Sequence, residues 1–372
     1  MTWPRVMLVA ALGLLSACGD DAPSGPASSA SSATSTSGAG GSGGGTSTTT
    51  SGAGGAGGMG CVNSLPSDAP VPDLLSQTGL FSDTPAQILN PQVASFTPRW
   101  GLWSDAATKD RYVYLPECSP IDTSDMNDWS LPVGTRLWKS FSRDGILIET
   151  RLTQRIGPGP FDWVMTSYVW NEVHTDAVRT PEGVNDAKGT AHDVPNEAAC
   201  RQCHGALEPK GGGRPSRALG FSALQLAHDG PGLTLDDLVA EGKLTQPPAA
   251  PVEVPGDATT VAALGSLHVN CGPCHNASAD AVPQLDLNLW LDAGLASVEQ
   301  TGAYQTAVGR PNQVFADQQI TGRVVPGAPS ESSLWFRMAE RGNNAAMPPV
   351  GTEDVDTAGL AEVEAWILGL PQ

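Results

Sequence analysis

Two copies of one five-residue pattern constrain this 372-residue chain more than any other feature. Cys200, Cys203 and His204 stand in "ACRQCHG", and Cys271, Cys274 and His275 in "NCGPCHN". Chance would supply one such CxxCH on the order of 0.002 times in a chain of this cysteine and histidine content. Two thiols about one helical turn apart reach the two vinyl groups of one porphyrin. The adjacent histidine then lies under the iron as an axial ligand, which in an exported protein marks a c-type haem attachment site. The pattern predicts haem c, two groups per chain with one as the minimum. Two other readings of CxxC stand beside it: a redox disulfide, or a zinc site to which the two pairs supply four thiolates. Neither requires the histidine that follows each pair.

The N-terminus reads as an address. Arg5 gives a short positive region, Val6 to Leu15 is an apolar run too short to span a bilayer, and small residues follow in "LLSAC". A signal peptide over 1–17 is expected, and with it export. The order Leu15, Ser16, Ala17, Cys18 resembles the lipobox of bacterial lipoproteins, which implies acylation of Cys18 and a lipid-anchored protein on the periplasmic or cell-surface face of the outer membrane. The competing reading is an ordinary secretory signal with a chance cysteine. From Ala22 to Gly60 the chain is almost wholly Ser, Thr, Gly and Ala and has nothing to bury against its ordering entropy. The segment 18–60 is therefore expected to be a disordered tether, with a reach of roughly 35 Å.

Charge narrows the partners. Twenty basic residues against 39 acidic ones give a net charge of −19, which argues against nucleic acid. The acidic residues are spread without a run of five and read first as solvated surface; a negative face would also steer docking to a basic redox protein. With 40% hydrophobic residues the chain can bury a core without many disulfides.

Folded structure is expected from Cys61. Between Leu80 and Ala198, "RYVYLP", "TRLWKSF", "ILIETRLTQRI" and "DWVMTSYVWNEV" read as strands, and six of the ten tryptophans lie between Trp100 and Trp170. These features predict an all-β domain over 61–215, sandwich or jelly-roll-like, that ends in the first CxxCH. A helical connector and a proline-rich linker follow over 216–256, and the remainder, 257–372, reads as helices and loops.

The second motif has an informative setting. "ATTVAALGSLHVNCGPCH" is a helix-compatible run into the attachment site, "NNAAMPPVG" follows later, and Leu360, Val363, Trp366, Ile367 and Leu370 make an apolar stripe near the end. This order resembles the class I cytochrome c fold over about 110 residues. The resemblance implies an all-α cytochrome c domain in which Cys271 and Cys274 are thioether anchors, His275 is the proximal ligand and Met347 the distal one. Met338 is the rival, in a run that looks helical and so favours core packing. Pro283 could offer its carbonyl to the proximal imidazole.

Between His204 and His275 there is no methionine, so a sixth ligand for the first haem must come from elsewhere. His228, His192 and His174 are the candidates, and an open position would instead permit ligand or peroxide chemistry. Cys61 and Cys118 remain, and in an oxidising compartment they read as a disulfide, with two unpaired thiols as the alternative. Asp125, Glu149 and the serines fall into no arrangement for acid–base or triad catalysis.

The whole order resembles a family of exported bacterial dihaem c-type cytochromes. That family also carries an "LFSD" segment, matched by Leu80 to Asp83 and echoed by "LWSD" at Leu102 to Asp105. The resemblance strengthens the haem expectation and leaves the partner open. The expected function is single-electron transfer outside the cytoplasm by a membrane-tethered dihaem cytochrome. Its alternatives are a dihaem oxidoreductase or peroxidase with an open first haem, and a ligand-binding module with an accessory haem.

Overall fold

In a computed structural model of the chain, the residues described are 63, 65, 71–159, 161–204, 218–277, 285–313 and 319–372. The signal peptide, Cys18, the tether, Cys61 and Pro283 lie outside them. Alternation of β-branched and aromatic residues builds the central sheet. Strands β1 (Phe81–Asp83) and β2 (Ile88–Leu89) pair as a small hairpin. β3 (Ala94–Ser95), β4 (Thr108–Tyr114), β5 (Arg136–Arg143), β6 (Ile146–Arg155), β7 (Trp163–Trp170) and β8 (Ala177–Arg179) form a six-stranded antiparallel meander in sequence order.

Both faces of the meander are covered, and by different parts of the chain. On one face Tyr114, Trp138, Leu152, Tyr168 and Trp170 pack with Leu75, Leu80, Phe81 and Val93. The buried indole N–H groups there are satisfied, Trp138 donating to Thr78 Oγ1 at 3.1 Å and Trp170 to Thr150 Oγ1 at 3.0 Å. On the other face Val113, Leu137, Trp163 and Met165 pack with Phe96, Phe221, Leu226, Leu235, Leu238 and Leu244. Phe96 directly follows β3, and the rest come from α2 (Ala223–Leu226), α3 (Leu235–Ala240) and the loops around them, which supply a layer that a second sheet would otherwise have to provide.

A helical layer follows. α4 (Ala258–Asn270) and α7 (Thr357–Gly369) each start on an aspartate cap, Asp257 accepting from the Thr260 N–H at 2.8 Å and Asp356 from that of Gly359 at 3.0 Å. The two helices pack together through Ala263, Leu264, Leu267, Val363, Trp366 and Ile367. α5 (Gly302–Ala307) and α6 (Ser333–Ala339) are short.

The expected architecture of an N-terminal β-sandwich or jelly roll plus a separate all-α cytochrome c domain is overturned. Among the described residues eight strands lie in two antiparallel sheets, one of them a two-stranded hairpin, the helices are few, and all belong to one compact unit. The physical reason is continuity of the core. Trp100, from the sheet-forming half, packs into the α4–α7 cluster, Leu224 of α2 belongs to that cluster while Leu226 faces the sheet, and Val252 touches both. The proline-rich segment expected as a linker is thereby part of the packed structure. No helix among the described residues is long and apolar enough to cross a membrane.

Candidate functional site

The second CxxCH sits where α4 ends. The Cys271 N–H still donates to Leu267 O at 2.9 Å, then the chain turns, with the N–H groups of Cys274 and His275 both donating to Cys271 O at 3.1 and 2.8 Å. Asn276 is buried and braces this turn, its amide donating to Gly272 O at 2.9 Å and Pro273 O at 3.1 Å. Cys271, Cys274 and His275 thus project from one tight turn into a single, partly open cavity. Leu285, Leu287, Leu289 and Leu334 give it apolar walls; Arg337 lines it too, as does Arg323, whose guanidinium is paired with Asp286 at 2.6 Å. The predominantly apolar lining with a few polar groups suits a small-molecule or cofactor site.

Met347 lines the same cavity, brought there by a loop held at its backbone. The Met347 N–H donates to Arg337 O at 2.9 Å, and the Arg337 guanidinium donates to Ala345 O at 2.8 Å. Met338, on α6, lines the cavity as well and also packs on the α4–α7 cluster. Burial pushes the Cys271 thiol up to about 12, with Cys274 adding to the effect. Burial, then Arg337 and Arg323, hold His275 below its ordinary value, so the imidazole keeps a lone pair for a metal. One pocket therefore gathers two thiols, an imidazole and two thioethers.

The first CxxCH lies on α1 (Glu197–His204), which packs against β7. Asn196 Oδ1 accepts from the Ala199 N–H at 2.8 Å, and Glu197 pairs with Arg179 at 2.7 Å. Cys200 is half-buried against the sheet-face cluster, Cys203 is exposed and His204 half-buried. Burial raises the Cys200 thiol while Arg151 opposes it.

The predicted histidines are engaged elsewhere. His228 has Nε2 2.6 Å from Thr97 O, and its Nδ1 accepts from the Gly230 N–H at 2.8 Å, so both ring nitrogens are taken by backbone. His192 is buried with Nε2 2.7 Å from Glu149 Oε1, and His174 stands edge-on to Trp170. Among the described residues none of the four motif cysteines is disulfide-bonded, and no three His, Cys, Asp or Glu side chains gather as a metal-binding group. The convergence that a four-thiolate zinc centre requires is therefore not present among them. Cys118 is disulfide-bonded; its expected partner Cys61 lies outside the described residues, and the Cys118 N–H donates to Asn63 Oδ1 at 3.2 Å.

Several site residues escaped the sequence reading. Arg111 on β4, Lys139 on β5 and Arg151 on β6 are direct cross-strand partners. Burial, then Arg111 and Arg151, push the Lys139 ammonium down to about 7. Alternation puts each cation on a face of its own strand, but only the pairing register aligns them. Glu149, named only to be set aside as an acid, is wholly buried, and its Oε1 accepts from Arg151 Nη2 at 2.6 Å. His268, three residues before Cys271, is buried, its Nδ1 accepting from the Leu291 N–H at 3.1 Å and its ring 4.4 Å from that of Trp290. Its helical spacing from the motif was the available signal. No protein-family model, curated protein or solved structure matches the chain.

Proposed function

We propose that the protein is an exported, lipid-anchored c-type cytochrome that passes single electrons to or from a redox protein. The observation that carries this reading is the pocket in which Cys271, Cys274 and His275 meet Met347, a residue remote in sequence. The donor set fits covalently attached haem: two thiols that would form the thioether bonds, a neutral imidazole and a thioether that would ligate the iron, and apolar walls around them. Bound there, haem would supply a one-electron couple.

The chain's own residues account for the rest. Cys271 and Cys274 would anchor the group and His275 would orient it from the braced turn. Met347 would favour the ferrous state, as a thioether does. Arg337 would meet a haem carboxylate, and the leucine walls would keep water from the ring. The first motif would hold a second haem by Cys200, Cys203 and His204. The signal peptide and Cys18 support export and anchoring, and the net charge of −19 suits docking on a basic partner.

The test is a haem count on mature protein from a host with working c-type maturation machinery. Two haems per chain are expected by pyridine haemochrome and by mass, falling to one when Cys271 and Cys274 are both changed to Ala. Colourless mature protein would sink the reading.

A further inference from the structure

We infer that Arg341 is the positioning residue for the Met347 sulfur, a bolt that fixes the loop bearing this ligand to a segment held by the sheet. This rests on the haem reading of the second motif. Met347 is followed by Pro348 and Pro349, so over 347–349 the backbone has one N–H and three carbonyls. That N–H is taken by Arg337 O. Any further hydrogen-bonded anchor for this stretch of backbone must therefore be a donor that reaches its carbonyls.

Arg341, half-buried just past α6, is that donor. Its Nη1 donates to Met347 O at 3.3 Å, to Met338 O at 3.0 Å and to Glu340 O at 2.6 Å, and its Nε donates to Asp354 O at 3.1 Å. Every one of these acceptors is a main-chain carbonyl, so the guanidinium fixes backbone geometry through charge-assisted bonds. Among the described residues, 348–352 make no hydrogen bond to the rest of the chain. Arg341 thus spans the two ends of an otherwise unbonded limb, while Arg337 clasps the other limb at Ala345 O. The far end is firm. The Asp354 N–H donates to Asp105 Oδ1 at 2.9 Å, its carbonyl also accepts from Trp103 Nε1 at 3.0 Å, and its Oδ2 accepts from Arg143 Nη2 at 3.3 Å. All three partners belong to the sheet-forming half. One side chain therefore passes the position of the sheet to the loop that brings Met347 to the second-motif cavity. Its loss would let the limb swing and raise the fraction of molecules with the sulfur withdrawn.

The experiment is an imidazole titration of the mature ferric holoprotein, read at the sulfur-to-iron charge-transfer band and assigned to the second motif by its loss in a Cys271→Ala/Cys274→Ala variant. Imidazole can take the iron only when the sulfur is withdrawn, so the concentration that halves the band scales inversely with the withdrawn fraction. In Arg341→Gln that concentration should fall about tenfold, the scale of one lost charge-assisted bond. Amide exchange should quicken at Ala346 and Met347. Arg341→Lys keeps the charge but lacks the fork that reaches both Met347 O and Asp354 O, so a fall of about threefold is expected, and this variant decides the matter if Arg341→Gln does not fold. Trp138→Phe, on the far face of the sheet, should keep the parent value. An unmoved concentration in both Arg341 variants, or an equal fall in Trp138→Phe, would overturn the positioning role and leave haem attachment standing. Haem bound at Cys271 and Cys274 without the band in the parent protein would do the same, because Met347 would not be the ligand. Colourless mature protein would overturn both.

Discussion

Trp100 packs against the middle of α4 at Gly265, so closely that a Cβ on the glycine would overlap the indole. The tryptophan is held in turn, its backbone N–H donating to Gln225 Oε1 at 3.0 Å and the Arg99 guanidinium lying 4.6 Å from its ring centre. Alanine is the better helix former by about 1 kcal/mol, yet here overlap decides the sign. Gly265→Ala should destabilise the protein by about 2 kcal/mol in urea unfolding. In a Trp100→Ala background the same change should become neutral or stabilising, and strict additivity of the two would refute the packing account.

Asp105, the last residue of "LWSD", ties the sheet-forming half to the segment before α7. Its Oδ1 accepts from the N–H groups of Glu353 and Asp354, both at 2.9 Å, and it is only 8% exposed. Trp103 adds two bonds nearby, its N–H to Asn270 Oδ1 at 2.8 Å and its Nε1 to Asp354 O at 3.0 Å. Asp105→Ala should cost about 2 kcal/mol. Amide exchange should quicken first at Glu353 and Asp354, and Asp105→Asn should keep most of the protection.

Met347 and Met338 both reach the second-motif cavity, but only Met347 lies on a loop rather than in a packed helix. If haem is held as proposed, Met347→Ala should abolish the sulfur-to-iron charge-transfer band of the ferric protein. It should also weaken the ferrous form at least tenfold, about 59 mV. Met338→Leu should leave the band in place and cost about 1 kcal/mol of stability. Loss of the band in Met338→Leu alone would reverse the assignment.

Glu149 sets an acid limit on the fold. Burial acts to raise its carboxyl, but Arg151 and the hydrogen bonds from His192 and Arg151 outweigh it and hold the group below its ordinary value of 4.5. The sign follows: more protons bind the unfolded chain than the folded one in this window. The stabilisation is fully present above pH 4.5 and is lost as pH falls through the lower folded value. Glu149→Gln should cost about 3 kcal/mol at pH 7 because Arg151 and His192 lose their carboxylate. It should also flatten the loss of stability on acidification, as read by unfolding midpoints from pH 3 to 7.

Much of the local structure was legible. The four strand-like runs coincide with β4, β5, β6 and β7, and the apolar stripe of the last helix buries Val363, Trp366 and Ile367 in α7. The expected sandwich and the free-standing helical domain were misread for one reason. Alternation shows that a strand has two faces but not what covers them. Phe221, Leu226, Leu235 and Leu238 are the cover, from a stretch that reads as a connector.

The five contiguous residues of each CxxCH carry their own chemistry, because thioether attachment depends only on spacing along the chain. The sequence alone therefore determined where the two CxxCH patterns stand, and on it rest the expectations of haem attachment, export and anchoring. Tertiary structure alone decided that Met347 meets Cys271, Cys274 and His275 in one pocket, and that Arg111, Lys139 and Arg151 stand in a row. Those relationships join residues far apart in sequence through strand register and loop closure, which arise from packing of the whole core and leave no mark in any local run of residues.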